Sequence, residues 1–249
     1  MDRDSDGIPS SRLKEFERDS LLFHSVFQNI VASDNEDNSS ILDIPKNQYL
    51  FLNGLAKKNS RTRRISFWNC RGWRTARDTI DTFLSTSDTD IFGLCETFLD
   101  EFSIESIHVD GYQLFHVGRS MQKKGGLGVL IKSCIPARAR LEFLPMNIEM
   151  LFESCVVECF FPNNEKILIA AIYRSPSASQ MEFRNCFEKF MDKLASLNTS
   201  YLVMGDFNID LMNLVSSNQN RLDSNTLKFL ECPLSHGLYP VMSCTLRNN

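Results

Sequence analysis

Two polar side chains follow an apolar segment at GDFNID, and their types suit phosphate chemistry. Asp206 and Asn208 come directly after the apolar run Tyr201–Gly205. In extended backbone, residues two apart point to the same side of the chain. Paired carboxylate and amide oxygens suit a hard cation such as Mg²⁺ and a phosphate, rather than zinc or a thiol site. The alternative interpretation is an Asx turn, because Gly, Asp and Asn are common turn residues.

Three more polar residues stand at the ends of other apolar runs. Glu96 follows the run DIFGLC, Asn69 ends the run that starts at Ile65, and Tyr173 ends a third run. A carboxylate directly after a buried run is well placed as a metal ligand, although a salt bridge to a nearby arginine is the alternative. Asn69 would add an oxygen donor to the same pocket if the two strands are neighbours. Tyr173 could instead be a hydroxyl at the rim of the core.

The elements that must position these residues follow from hydrophobic periodicity. Short apolar runs bounded by polar residues predict buried strands, whereas apolar residues at i, i+3 and i+4 predict helices. The predicted strands are Ile65–Asn69, Asp90–Glu96, Leu127–Lys132, Leu151–Phe161, Lys166–Tyr173 and Tyr201–Gly205, and the predicted helices are Thr75–Thr86, one that begins near Ser177 or Ser179, and Arg221–Leu230. This order predicts an α/β fold, a two-layer β-sandwich of mostly antiparallel or mixed sheets flanked by helices.

The beginning of the chain differs from the rest. Segment 32–40 is polar and has the composition of a flexible linker, and the apolar residues between 21 and 30 are only roughly at helical spacing. No repeat and no chemistry can be recognised there. The sequence therefore predicts two parts, a poorly ordered extension over residues 1–62 and a domain over residues 63–249.

Composition narrows the classes of function. The 249 residues carry 27 Lys and Arg against 31 Asp and Glu, a net charge of −4, so a polyanion would have to meet a local basic patch. No apolar run reaches the roughly 18–20 residues of a membrane helix, which predicts no membrane span. The charged N-terminus is unlike a signal peptide. We expect an intracellular protein, in the cytoplasm or nucleus.

The eight cysteines are predicted to be reduced core residues. None forms a CxxC pair, and most lie inside apolar runs such as IFGLC and SCVVECFF. Free cysteine behaves as a small buried hydrophobe, and structural zinc sites favour short ligand spacings. Neither a disulfide framework nor a zinc cluster is therefore expected.

Five short motifs follow one another along the chain: WNCRG (68–72), LCETFLD (94–100), GGLGVLIK (125–132), IYRSPS (172–177) and GDFNIDL (205–211). In this order they resemble the endonuclease/exonuclease/phosphatase superfamily, and most closely the apurinic-like endonuclease domain of non-LTR retrotransposons of the LINE, jockey and CR1-like types. The resemblance covers roughly Arg63 to Asn249. The resemblance implies Mg²⁺-dependent hydrolysis of a DNA phosphodiester, with Mn²⁺ as a possible substitute.

The resemblance also implies a role for each matching residue. Glu96 would bind the metal, and Asn69 would support the metal and the phosphate. Asp206 would orient or activate the attacking water, while Asn208 would hold the phosphate. Tyr173 would stand beside the scissile group.

DNA contacts are expected from basic residues around the first strand and helix. The sequence predicts contacts from Arg71 and Arg74, from Arg174 after the tyrosine, and from Thr245, which lies where such endonucleases often have a threonine. A solvated basic face is the alternative for the arginines next to the linker. In a parent element, a reverse transcriptase domain on the same polypeptide would be the partner.

Two departures from the family pattern limit this interpretation. Ser175 to Ser177 follow Arg174 where many relatives have an asparagine. The family ends with an aspartate strand and a Ser-Asp-His motif, whereas this sequence reaches Asn249 before either, so the C-terminal strands are predicted to be missing. His236 lies at a predicted helix end, where histidine is usually structural. We therefore expect weak or no cleavage.

Two other functions stay open. The first is a non-catalytic nucleic-acid-binding or interaction remnant with the same fold. The second is a phosphoesterase acting on lipid or inositol phosphates, although the style of the motifs favours the retroelement type.

Overall fold

Strands and helices alternate along the described part of the chain. The computed structural model describes residues 48–52, 63–100, 104, 107–120, 124–209 and 224–241, which fall within the unit Ile44–Asn249. The strands are β1 (Gln48–Leu52), β2 (Ile65–Asn69), β3 (Ile91–Cys95), β4 (Tyr112–Val117), β5 (Leu127–Lys132), β6 (Ala137–Ala139), β7 (Glu153–Phe161), β8 (Glu165–Tyr173), β9 (Ser200–Asp206) and β10 (Tyr239–Val241). The helices are α1 (Trp73–Thr86), α2 (Gln180–Ser196) and α3 (Ser224–Ser235), and short 3-10 helices cover Leu141–Met146 and Pro162–Asn164.

The described strands form two mixed sheets. The larger sheet has the order β10-β1-β9-β8-β7-β6, and the smaller one has the order β2-β3-β5-β4. Each sheet contains one parallel pair, β8 with β9 and β2 with β3, whereas their other neighbours are antiparallel. Helix α1 connects one parallel pair and α2 the other, because parallel strands need a long crossover. The C-terminal ends of these four strands carry the polar residues named above.

Three apolar clusters hold these layers together. The first joins α2 and α3 to the larger sheet, the second lies between the sheets, and the third joins α1 to the smaller sheet. Strand β3 illustrates why a strand in the middle of this fold has an unbroken apolar sequence. Ile91 belongs to the cluster between the sheets, and Phe92 belongs to the cluster under α1. Both faces of the strand are buried.

The predicted α/β fold is confirmed, and most predicted elements are present. The hairpin of β7 and β8 lies at the predicted turn, and the Ser179 hydroxyl accepts a hydrogen bond from the Glu182 N–H at the start of α2. Strands β4 and β6 are additions to the prediction. Their segments lack the long apolar run on which the other strand predictions rest.

Strand β1 corrects the predicted domain boundary. Gln48–Leu52 lies in the predicted extension, yet it pairs antiparallel with both β9 and β10. Its sequence, QYLFL, is rich in residues that suit strands. The folded domain therefore starts before residue 63, and the prediction for residues 1–47 and 53–62 lies outside the described residues.

Among the described helices, none has the length and apolar character needed to cross a membrane.

Gly205 gives a test of the strand packing. A Cβ atom at this position would lie 2.1 Å from the carbonyl oxygen of Ile172, its partner in β8. We expect Gly205→Ala to lower the free energy of unfolding by about 1–3 kcal/mol, because the backbone of β8 must shift. Urea denaturation monitored by circular dichroism measures this change.

Gly128→Ala is the matched control. The nearest atom to its added Cβ is a side-chain carbon of Leu114 at 3.3 Å, which needs to move by only a few tenths of an ångström. Equal losses of stability in the two variants would contradict the close packing of β9 on β8.

Candidate active site

A single side-chain amide connects two carboxylates from different sheets. Asn69 lies at the end of β2, and its Nδ2 donates to Oε1 of Glu96 and to Oδ2 of Asp206, each at 2.9 Å. Its own oxygen accepts a hydrogen bond from the Arg71 N–H at 3.2 Å. Asn69 and Asp206 are buried, whereas Glu96 is partly exposed. The amide therefore fixes the separation of the two carboxylates.

Tyr173 adds a second donor to Glu96. Its hydroxyl donates to the same Oε1 atom at 2.9 Å from the end of β8. Burial, together with the charge of Glu96, raises the pKa of Tyr173 well above its usual value. The hydroxyl therefore stays protonated at neutral pH and acts as a hydrogen-bond donor.

Asp206 is the buried carboxylate of the pair. Strand register places it directly opposite Tyr173, and its Oδ1 accepts the Asn208 N–H at 3.1 Å. Burial raises the pKa of Asp206, and its hydrogen bonds with Asn69 and Asn208 oppose this effect. A buried carboxylate with a raised pKa is a better proton acceptor than an ordinary aspartate.

Asn208 is near the pair, but its side chain turns away. The backbone N–H contacts Asp206, while the side-chain amide donates to the carbonyl oxygen of Arg174 at 2.6 Å. The prediction that both side chains point to one side relied on extended backbone, and Asn208 has a positive φ of 50° instead. The feature is thus partly the Asx turn that was the alternative interpretation.

Left-handed backbone is concentrated around this site. Of the seven non-glycine residues with positive φ in the described part of the chain, four lie at or beside the site: Asn208, Arg71 at 49°, Glu96 at 54° and Phe98 at 55°. Such conformations are uncommon in these residue types and are often found at functional sites. Backbone bonds hold them, because Gly72 N–H donates to Glu96 O at 2.7 Å and Phe98 N–H donates to Gly125 O at 2.9 Å. The backbone that carries Glu96 is therefore fixed on both sides.

The alternative role of Glu96 as a salt-bridge partner does not fit the structure. Over the described ranges, no lysine or arginine forms an ion pair with Glu96 or Asp206. Within that same part of the chain, both hydrogen bonds to Glu96 reach Oε1, and no protein donor reaches Oε2. Both carboxylates are held by hydrogen bonds from neutral groups, and the charge of Arg174 acts on Asp206 without an ion pair. Such a pair is a candidate site for a bound cation.

Arg174 corrects the predicted set of DNA contacts. Its side chain is buried, and its guanidinium donates to the carbonyl oxygens of Phe207, Ala178 and Asn208. These bonds tie the segment after β8 to the segment after β9, so Arg174 cannot face a nucleic acid. The prediction for this residue is wrong, because an arginine beside a strand end looks the same in sequence whether it points inwards or outwards.

Arg71, Arg74 and Thr245 are the other residues predicted to contact DNA. Arg71 and Arg74 are exposed at the start of α1, close in sequence to Asn69. Thr245 lies outside the described residues. Contact of these residues with DNA therefore stays a prediction.

His236 lies away from the carboxylate pair, as expected. Its Nε2 contacts Asp192 of α2 at 3.1 Å, and its Nδ1 is 2.9 Å from the Cys232 carbonyl oxygen. These contacts fasten the end of α3 to α2. His236 is therefore a structural residue.

The described cysteines are free thiols, and most of them are buried as predicted, but Cys134 is exposed and Cys186 is half-buried. Burial raises the pKa of Cys70 to about 11 and those of Cys155, Cys159 and Cys232 to about 12, so these thiols stay protonated and unreactive. The described residues include no group of three or more His, Cys, Asp or Glu side chains that could hold a metal ion.

Sequence reasoning missed the polar side chains behind the site. His116 on β4 contacts the Thr97 hydroxyl at 2.8 Å, next to Glu96 in the chain. Arg119 and Glu153 form a buried ion pair beside Tyr173. No motif surrounds these residues. The signal that could have found Glu153 is a carboxylate inside the apolar run LFESCVVECFF.

Comparison with known proteins assigns this chain to a family of phosphoesterases. Residues 66–240 match the Endonuclease/Exonuclease/phosphatase family, and the chain belongs to this family. The superfamily includes DNA endonucleases, exonucleases and phosphatases, and its members generally depend on divalent metals. No curated protein matches the chain by sequence.

Solved structures support the same fold. The endonuclease domain of TRAS1, a telomere-specific non-LTR retrotransposon, has a TM-score of 0.53 and 11% identity over 72% of each chain. AP endonuclease LMAP from Leishmania major has a TM-score of 0.51 and 13% identity, over 84% of this chain and 74% of that one. The 3'-5' exonuclease NExo from Neisseria meningitidis has a TM-score of 0.50 and 13% identity, over 69% and 70%. At these identities the likeness concerns the fold alone.

His116 makes stability depend on pH. Burial lowers its pKa from 6.5 to about 4, so the folded state prefers the neutral ring. Protonation then favours the unfolded chain, and stability is lost as pH falls from about 6.5 towards 4. Between pH 7 and 4, we expect wild type to lose about 2–3 kcal/mol more than His116→Gln, whose side chain does not titrate.

Urea denaturation of both proteins across this range measures the difference. Parallel pH dependences in wild type and His116→Gln would show that His116 does not carry this effect.

Proposed function

We propose that this chain is a divalent-metal-dependent phosphodiesterase that acts on DNA, of the retrotransposon endonuclease type. The observation that carries the proposal is the amide of Asn69, which holds Glu96 and Asp206 together at the ends of strands from two sheets. The five motifs that resemble retrotransposon endonucleases support DNA as the substrate.

The residues present fit a hard divalent cation. Mg²⁺ prefers oxygen ligands and is usually held by only one or two carboxylates together with water and substrate phosphate. Glu96 would hold it through Oε2, the oxygen that receives no hydrogen bond from the described protein. We propose Mg²⁺ as the ion, with Mn²⁺ as a substitute of similar preference. A group of three or more ligating side chains is not needed for this mode of binding.

Each residue of the site would have a separate role in the reaction. Asp206 would accept a hydrogen bond or proton from the attacking water, since burial favours its protonated form. Tyr173 would keep Glu96 in place with a hydroxyl that stays protonated. Asn69 would hold the two carboxylates in register rather than ligate the cation, because its amide is already bonded to both. When bound, the cation would polarise the phosphoryl oxygen and stabilise the leaving oxyanion.

The proposed activity is slow. Of the four histidines in the sequence, the three that the structure describes have partners other than the carboxylate pair: His116 contacts Thr97, His236 contacts Asp192, and His108 is 3.1 Å from Asp110. A positioned general acid or base typically contributes about 10²–10⁴-fold to a rate. We therefore propose weak cleavage, and the same observation keeps a non-catalytic DNA-binding role as the second candidate.

DNA would reach the site over the start of α1. Arg71 and Arg74 are exposed there, and arginine side chains bind phosphates well. In the parent element, we propose that the chain acts beside a reverse transcriptase domain on the same polypeptide. This partner is inferred from the resemblance of the motifs.

Nicking of supercoiled DNA tests the proposal. We expect the purified chain, at high concentration, to nick slowly with Mg²⁺ or Mn²⁺ and not with EDTA. Glu96→Gln and Asp206→Asn should each lower the rate at least 10²-fold, since they remove charge while keeping the shape of the side chain. Gel quantification of nicked circles over time gives these rates.

His236→Gln is the control and should leave the rate unchanged, because this side chain contacts Asp192 of α2 and the Cys232 carbonyl of α3 rather than the carboxylate pair. DNA binding without any metal-dependent nicking would favour the non-catalytic role. Metal-dependent release of phosphate from an inositol phosphate, with no action on DNA, would favour the lipid or inositol phosphoesterase. Nicking that survives Glu96→Gln and Asp206→Asn would contradict the assigned site.

A further inference from the structure

A buried ion pair lies directly behind the candidate site. The side chains of Arg119 and Glu153 are only 4% and 6% exposed. Nε of Arg119 donates to Oε1 of Glu153 at 2.8 Å, and its Nη2 donates to the same oxygen. Arg119 follows β4 in the smaller sheet, and Glu153 begins β7 in the larger one. The pair therefore joins the two sheets close to the ends of the site strands.

This ion pair fixes the backbone that follows Glu96. The other oxygen of Glu153 accepts the Gly126 N–H at 3.1 Å. The Gly126 and Gly125 carbonyls accept the N–H groups of Thr97 at 3.3 Å and Phe98 at 2.9 Å. Thr97 and Phe98 come directly after Glu96. Glu153 thus holds the backbone after Glu96 indirectly, through the Gly125-Gly126 turn.

Gly125 shows how closely Arg119 is packed. A Cβ atom there would lie 2.2 Å from Nε of Arg119, and φ is +112°, a value that side chains rarely allow. Glycine at position 125 therefore leaves the space that the Arg119 guanidinium occupies.

The guanidinium of Arg119 also lies near Tyr173, which donates a hydrogen bond to Glu96. It lies 5.9 Å from the ring centroid of Tyr173, and Nη2 donates to the Ser175 hydroxyl at 2.8 Å. Arg119 and Glu153 thus contact the segment that carries Tyr173 and the turn that holds the backbone after Glu96. Neither forms a hydrogen bond with Glu96 or Asp206.

Stability alone does not explain such a pair. Removing two charges from water costs free energy that their attraction often only balances, and apolar residues of similar size are often as stable. This pair instead contacts the Gly125-Gly126 turn, the Ser175 hydroxyl after β8 and the ring of Tyr173. These contacts favour one arrangement of the three groups. We propose that Arg119 and Glu153 are positioning residues, which hold the Tyr173 hydroxyl on Glu96. This inference deepens the proposed function, because the positioned site is the one proposed to bind the metal.

Strand β7 offers a matched control for Glu153. Glu158 lies on the same strand, is also buried, and is also paired with arginines, Arg138 and Arg140. Its partners belong to β6 and to the start of the adjacent 3-10 helix. The structure gives it no contact with the site. Glu158→Gln therefore removes an equivalent charge without touching Tyr173.

Fluorine NMR of protein labelled with 3-fluorotyrosine tests the positioning directly. The Tyr173 resonance is assigned by its loss in Tyr173→Phe. We expect Glu153→Gln and Arg119→Met to shift or broaden this resonance while the Tyr112 and Tyr201 resonances stay in place. Glu158→Gln should leave the Tyr173 resonance unchanged. Ser175→Ala, a milder change to one partner of Arg119, should move it in the same direction by a smaller amount.

Mn²⁺ binding measured by calorimetry adds a functional readout. We expect Glu153→Gln to weaken Mn²⁺ binding about three- to tenfold and Glu158→Gln to leave it unchanged. In a Tyr173→Phe background the effect of Glu153→Gln should shrink, because the bond it positions is gone.

The two measurements separate the two claims. If wild type binds no Mn²⁺, the proposed function fails, and the fluorine spectra still decide the inference. An unmoved Tyr173 resonance in folded Glu153→Gln and Ser175→Ala would overturn it. Equal changes in Glu153→Gln and Glu158→Gln would also overturn it, since they would indicate a general effect on the sheet.

Discussion

One side-chain amide placed between two carboxylates is the contact on which the site depends. Two negative charges brought together away from bulk water repel each other, unless donors or a cation lie between them. The Asn69 NH₂ group provides one hydrogen bond to Glu96 and one to Asp206. Since Asn69 ends one strand of the smaller sheet, Glu96 follows another, and Asp206 ends a strand of the larger sheet, these bonds also join the two sheets. The same amide therefore holds the site together and adds a polar contact between the two sheets.

The fold explains why these residues meet. Each sheet contains one parallel pair connected by a helix, and the carboxyl ends of parallel strands lie at one edge. Asn69 and Glu96 come from the ends of one pair, and Tyr173 and Asp206 from the ends of the other. Left-handed backbone at Glu96 then turns the chain out of the strand, and the ion pair of Arg119 with Glu153 holds the adjoining turn. Glu96 thus lies between fixed neighbours, with both of its described hydrogen bonds on Oε1.

The sequence predicts the strand ends well, because apolar runs that stop at Asn69, Tyr173 or Asp206 are local patterns. It does not predict which atoms meet across the sheets. The amide of Asn208 turns to a backbone carbonyl, and Arg174 turns inwards, through contacts between segments that are distant in the chain. Strand β1 was missed because its partners, β9 and β10, lie far along the sequence. Glu153 was missed because one buried carboxylate forms no motif.

We propose that Glu96 binds the cation beside Asp206, with Asn69 holding the two carboxylates together. The most direct measurement is a crystal structure of the chain soaked in Mn²⁺, with anomalous scattering collected at the manganese edge. We predict one strong anomalous peak at bonding distance from Oε2 of Glu96, on the side of Asp206, and its loss in Glu96→Gln. A peak elsewhere on the chain, with the carboxylate pair bound only to water in crystals that hold Mn²⁺, would contradict the account.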